Sequence, residues 1–99
     1  MSKLVRDRIP EILKKKGVTV ITHIAKKEEY WEKLKEKLKE EVDEFLRDSN
    51  EEELADIFEV LYAICDFKRI EKKKLDLIRE KKAKERGKFQ HRIILDKFK

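Results

Sequence analysis

The chain has 99 residues, 49% of them charged, with 27 Lys and Arg against 22 Asp and Glu and a net charge of +5. This length sets a single domain with a modest core, while 39% apolar content in regular spacing excludes a disordered chain. The basic excess is diluted by acids and permits an anionic ligand without requiring nucleic acid; a single cysteine excludes a disulfide framework and a Cys/His metal site.

The chain opens with Lys3-Leu4-Val5-Arg6-Asp7-Arg8-Ile9-Pro10. Asp7 is suited to cap a short helix whose first turn tolerates Pro10. Ile9, Ile12 and Leu13 form its apolar stripe, Lys14, Lys15 and Lys16 suit its C-terminal end, and Gly17 can end it. Val18-Thr19-Val20-Ile21-Thr22-His23-Ile24 is β-branched and reads as extended. His23 and His91 are far apart in sequence, so His23 reads as a surface or packing residue. A second helix is predicted from Glu28 to Asp48, with Tyr30, Trp31, Leu34, Leu38, Val42, Phe45 and Leu46 on one side. Glu41 lies near the edge of that arc, Glu44 next to it, and Glu40 farther toward water. Asp48-Ser49-Asn50 breaks the pattern, and either Asn50 with Glu53 or Ser49 with Glu52 has capping spacing.

The third helix is predicted to run to Cys65 or Asp66, antiparallel to the second because the connection is short. Between Leu54 and Cys65 only Asp56 and Glu59 are charged. A helix apolar on nearly all sides is buried, and a buried carboxylate needs compensation. A fourth helix, from Glu71 to Arg86, turns Leu75, Ile78 and Leu77 inward and ends at Gly87. The tail Phe89-Gln90-His91-Arg92-Ile93-Ile94-Leu95 is expected to pair with residues 18–24 or to cover a neighbouring subunit. The fold class expected is therefore all-α, an antiparallel bundle of about four helices with short extended segments. No apolar run is long enough to span a bilayer and no signal-type segment opens the chain, so the expected location is the cytoplasm. The abundance of Lys and Glu, with one Asn and one Gln, is the balance of proteins from hot habitats.

The acids carry the functional signal. Glu40-Glu41-Val42-Asp43-Glu44 has the pattern E-E-x-x-E, and Glu53-Leu54-Ala55-Asp56 the pattern E-x-x-D. Residues three apart share a helix face, so Glu41 with Glu44, and Glu53 with Asp56, converge if the two helices are antiparallel. Four carboxylates suit Mg²⁺, a hard cation that takes oxygen ligands. Such a site would bind a polyphosphate and activate water, and the summed negative charge calls for more than one ion or for added Lys and Arg. Basic groups stand at both ends of the chain: Lys3, Arg6 and Arg8, then Arg86, Lys88 and Arg92. There is no glycine-rich phosphate loop and no nucleophile constellation, so metal-activated water is the economical mechanism. The competing reading pairs Asp56 and Glu59 with Lys or Arg of a neighbouring helix.

These motifs resemble the all-α nucleoside triphosphate pyrophosphohydrolases of the MazG type, and more closely the phosphoribosyl-ATP pyrophosphohydrolase-like house-cleaning group. The resemblance rests on residues 3–10, on Glu52-Glu53-Leu54-Ala55-Asp56-Ile57 and on Glu85-Arg86-Gly87-Lys88-Phe89, and it covers nearly the whole chain. It implies cleavage of a nucleoside triphosphate between the α- and β-phosphates, giving a monophosphate and pyrophosphate. It implies Mg²⁺ held by Glu41, Glu44, Glu53 and Asp56, with Glu40 as a supporting ligand or base, and homodimers or homotetramers. Glu59 is expected to support the ligands. Two departures stand out: only residues 45–52 separate the acidic motifs, and Lys88 takes the place of a common second glycine. The substrate expected is a non-standard nucleoside triphosphate, or phosphoribosyl-ATP by the same chemistry. Aromatic Tyr30, Trp31 and Phe58 are either base-pocket or core residues. Readings of another class are a non-catalytic interaction or nucleic-acid-binding module and a purely structural bundle.

Overall fold

The long apolar stripe of the predicted second helix needs a partner, and the nearest one in sequence supplies it. In the computed structural model, which describes residues 2–98, α1 (Ile9–Lys15), α2 (Lys27–Asp48), α3 (Glu51–Lys68) and α4 (Lys72–Arg86) make an all-helical chain. The α2–α3 hairpin is its centre and the principal contact between helices. Leu34, Val60 and Cys65 are its buried apolar residues. At the end remote from the α2–α3 connection, Trp31 stacks flat on Phe67 with centroids 5.3 Å apart, and Tyr30 meets the same ring edge-on. Trp31 is therefore a packing residue.

Helix boundaries follow local chemistry. Asn50 caps α3, its side-chain oxygen accepting from the Glu53 N–H at 3.0 Å, so of the two capping spacings the Asn50 one is used. Gly17 ends α1 as expected. Its φ of +83° lets Val18 N–H reach the Leu13 carbonyl and Gly17 N–H that of Lys14, a Schellman closure. Helix α3 runs to Lys68, past the predicted Asp66. It closes the same way at Arg69, whose φ is 56°, through Ile70 N–H to Cys65 and Arg69 N–H to Asp66. Nothing in the sequence flags that arginine as a left-handed residue, since glycine is the usual choice there.

Four expectations are corrected. Asp7 does not cap α1: Arg8 is the cap residue, already in helical conformation and with no side-chain cap. Residues 18–24 and 89–95 are extended or irregular, but no ladder joins them, and no strand occurs among the described residues. Leu75, Leu77 and Ile78 are exposed, because α4 stands off the hairpin rather than packing on it. Helix α3 is buried along one side only: Leu54, Phe58 and Tyr62 and Glu59 face outward.

The molecule is consequently open. Its radius of gyration is 17.9 Å, against about 13 Å for a compact chain of this length. Exposed apolar side chains extend into the tail, where Phe89, Ile93, Ile94 and Phe98 are 78–98% exposed. No helix among the described residues is long and apolar enough to cross a membrane.

Candidate active site

The two acidic motifs meet across the α2–α3 hairpin near its connection. On α2, Glu41 is 6% exposed, and on α3, Glu53 is 8% exposed. Each buries one carboxylate oxygen, Glu41 Oε2 and Glu53 Oε1, that finds no hydrogen-bond donor. Helical spacing puts Glu44 beside Glu41, and the Glu41 carboxylate lifts the Glu44 carboxyl above its ordinary value. Glu53 is lifted too, by burial and by the adjoining Asp48 carboxylate, with Glu44 adding to the repulsion.

Cations surround this crowd at its edges. Lys37, one turn before Glu41, reaches Glu40 at 3.3 Å and Glu41 at 3.2 Å. Burial alone would depress the Lys37 ammonium, but the Glu41 and Glu40 contacts outweigh it and the pKa is raised. The opening segment lies over the hairpin and adds two more. Lys3 pairs with Glu40 at 3.2 Å, and Arg6 with Asp56 at 2.7 Å. Burial would push Glu40 up, yet Lys3 and Lys37 together hold it below its usual range. Arg47 grips Asp48 through two N–H groups at 3.1 and 3.0 Å, which holds Asp48 low.

Of the residues singled out from sequence, Glu40, Glu41 and Glu44 adjoin one another on α2 and Glu44 approaches Glu53 of α3, while the opening segment brings Lys3 to Glu40 and Arg6 to Asp56. Arg8 points to Glu11 of its own helix at 3.5 Å. Arg86, at the end of α4, and Lys88 and Arg92, beyond it, are exposed on the part of the chain that stands off the hairpin. Asp56 is half-buried and Glu59 exposed, so the pairing reading holds for Asp56, with the opening segment rather than a neighbouring helix supplying the arginine. Sequence reasoning missed Lys37 and Asp48. The spacing of Lys37 to Glu40 and Glu41 was a usable signal, whereas the approach of Asp48 to Glu53 depends on how the connection turns at Ser49, in left-handed conformation.

The donor set is all carboxylate oxygen, the chemistry of a hard divalent cation, and the two orphaned oxygens sit on facing helices. As the side chains lie, no three acidic, histidine or cysteine groups among the described residues are disposed around a common metal position. Lys3 and Arg6 occupy Glu40 and Asp56 instead, and Lys37 meets Glu40 and the buried Glu41. Carboxylate oxygens are ligands that Mg²⁺ takes, and here Glu40, Glu41 and Asp56 are met by the cationic side chains.

No family model and no solved structure matches the chain. It is similar to an uncharacterized protein of Mycolicibacterium smegmatis, 48% identical over 44 residues, which are 44% of this chain and 45% of that protein. The chain's match thus spans a little under half the length of this curated relative.

Proposed function

We propose that the chain is a Mg²⁺-dependent nucleotide pyrophosphohydrolase, a single MazG-like domain of the phosphoribosyl-ATP pyrophosphohydrolase-like house-cleaning group. The observation that carries this reading is the pair of buried, donorless oxygens on Glu41 and Glu53. A buried carboxylate oxygen without a partner is costly, and the Lys37 ion pair meets Glu41 through its other oxygen only. A cation between the helices relieves both at once. Glu41, Glu44, Glu53 and Asp56 would hold the ion, which when bound supplies positive charge to the phosphoryl oxygens and acidifies water.

The chain's own residues do the rest. Arg6 and Lys3, released from Asp56 and Glu40, have their charged heads at the site and take up phosphate oxygens. Glu40, freed of Lys3, accepts the proton of the attacking water. The water oxygen bonds to the α-phosphorus, the bond to the bridging oxygen breaks, and pyrophosphate leaves with its charge met by Lys3, Arg6 and Lys37. The substrate is a non-standard nucleoside triphosphate in the cytoplasm.

The working unit is a homodimer, or a homotetramer built from it. Leu54, Phe58 and Tyr62 recur every fourth residue on the outer face of α3 and are 44–58% exposed. Glu51, Glu52 and Glu53 stand at the N-terminal end of that helix, and Lys68, Arg69, Lys72, Lys73 and Lys74 at and beyond its C-terminal end. Antiparallel packing of α3 on its own copy buries the stripe and sets acidic end against basic end, a self-complementary two-fold contact. Arg86, Lys88 and Arg92, on the part of the chain that stands off the hairpin, would reach phosphate through such a second copy.

Pyrophosphate release from a nucleotide panel including dUTP, dITP, an oxidised purine and phosphoribosyl-ATP, with and without Mg²⁺, tests the reading. Mg²⁺-dependent release that vanishes in Asp56→Ala is the expected result. No release from any nucleotide by the folded protein overturns it in favour of a non-catalytic module.

A further inference from the structure

A cavity of about 700 Å³ lies between the opening segment, residues 20–25 and the first turns of α2. Its walls are largely apolar, with Leu4, Ile9, Leu13, Val20, Ile24 and Tyr30 among them. Such a volume is in the range of small-molecule sites, roughly 300–1,000 Å³. Two of its lining residues, Lys3 and Arg6, are the same side chains whose charged heads rest on Glu40 and Asp56. One short segment therefore forms a wall of the cavity and the edge of the carboxylate cluster. Lys33 adds a third cation to the lining, tethered to the Ser2 carbonyl at 3.0 Å and to Glu36 at 3.2 Å. The paired His23 and Glu29, 2.9 Å apart, contribute polar groups to the same lining.

We infer that this cavity seats the base and sugar of the nucleotide substrate, with Lys3 and Arg6 marking the passage to the carboxylates where the phosphates lie. The inference rests on the proposed pyrophosphohydrolase reading and gives its substrate a direction. A ligand that uses both regions is apolar and flat-faced at one end and polyanionic at the other. A bare polyphosphate would leave the apolar walls to water, and a purely apolar ligand would leave Lys3, Arg6 and Lys33 unused. A nucleobase offers apolar faces to Leu13, Ile24 and Tyr30, and a polar edge that Glu29 and His23 can meet with an acceptor and a ring nitrogen. Sequence alone pointed for base recognition to Tyr30, Trp31 and Phe58. Of these only Tyr30 lines the cavity, since Trp31 is stacked on Phe67 and Phe58 faces outward.

The test is binding by calorimetry in Mg²⁺ with two kinds of probe. One is the uncleavable α,β-methylene analogue of a purine and of a pyrimidine nucleoside triphosphate; the other is inorganic tripolyphosphate, which lacks the nucleoside. The variants are Leu13→Trp, which fills the cavity, and Ile24→Asp, at a side chain 95% exposed and so harmless to folding. Both variants are expected to weaken the analogues by about tenfold or more and to hold tripolyphosphate within about twofold. Unchanged analogue binding in Ile24→Asp and Leu13→Trp, or equal weakening of both probes, overturns the inference. If the wild type binds tripolyphosphate and the analogues alike, the nucleoside has no seat here while the metal–phosphate reading stands. If it binds neither probe, that reading falls and the inference with it.

Discussion

Arg6 Nη2 lies 2.7 Å from Asp56 Oδ1, joining the opening segment to the second turn of α3. The pair is a contact between two groups with other work in the proposed reaction, a phosphate-binding cation and a metal ligand. Both side chains are substantially exposed, 55% and 39%, so solvent screens their attraction. The contact therefore holds the segment over the acids only weakly.

Asp56→Ala should therefore keep its fold, losing no more than about 1 kcal/mol, as exposed ion pairs do. Pyrophosphate release should fall by about a hundredfold or more, since even residues behind a metal ligand cost 10–100-fold. Chemical denaturation and turnover measured on the same preparation check both halves. A variant that loses stability and activity in parallel would make Asp56 a structural residue.

Glu53→Gln should raise the Tm in chelator, because the amide removes a charge repelled by Asp48 and Glu44 and offers an N–H to Asp48. The same variant should lose the stabilisation that added Mg²⁺ gives the wild type, a linkage effect of binding to the folded state. Thermal melts with EDTA and with Mg²⁺ read both outcomes. A drop in Tm in EDTA would mean that Glu53 is paired after all.

The raised carboxyls set a pH dependence whose sign is fixed. Glu44 and Glu53 titrate above the ordinary value of 4.5, so the stability they contribute is fully present below that value and is lost as pH rises through their raised values. Glu40 and Asp48, held low, act oppositely: their contribution is present at neutral pH and lost as pH falls through their lowered values. The Tm advantage of Glu53→Gln over wild type in chelator should thus grow between about pH 4 and about pH 7. An advantage independent of pH would remove charge repulsion as its cause.

Phe58→Asp places a charge in the middle of the outer stripe of α3. If two copies pack through that stripe, sedimentation should show the wild type as a dimer or larger and the variant as a monomer, with helicity kept at high concentration. An unaltered assembly would move the interface elsewhere, to α4 and the tail.

Leu34, 1% exposed, is the one fully buried large side chain among the described residues. Leu34→Ala should cost about 2–5 kcal/mol, a large share of the stability of so small a core. Urea melts give the value directly, and a loss below about 1 kcal/mol would show that the hairpin is not the seat of stability.

Most helix positions were legible because they depend on local chemistry. The apolar period of α2, the Asn50 cap and the glycine closure of α1 each act within a few residues. The left-handed Arg69 was not legible, because nothing in the side chain announces it. The inward turn of Leu75 and Ile78 failed for another reason: an apolar pair at helical spacing says that a helix needs a partner, not that its own chain supplies one. For the candidate site, the sharing of faces by Glu41 with Glu44 and by Glu53 with Asp56 followed from spacing. The burial of Glu41 went further than its place at the edge of the apolar arc suggested, because α3 covers that edge.

The sequence by itself determined four helices, an antiparallel α2–α3 pair and two acidic motifs on facing helices, since helix periodicity, capping and a short connection leave little choice. Only the tertiary structure decided which carboxylates are paired and which are orphaned. Lys3 and Arg6 reach Glu40 and Asp56 across 37 and 50 positions, contacts that depend on how the opening segment lies over the hairpin. That placement also forms the cavity beside the acids. It follows from packing and charge summed over distant parts of the chain, which no local pattern encodes.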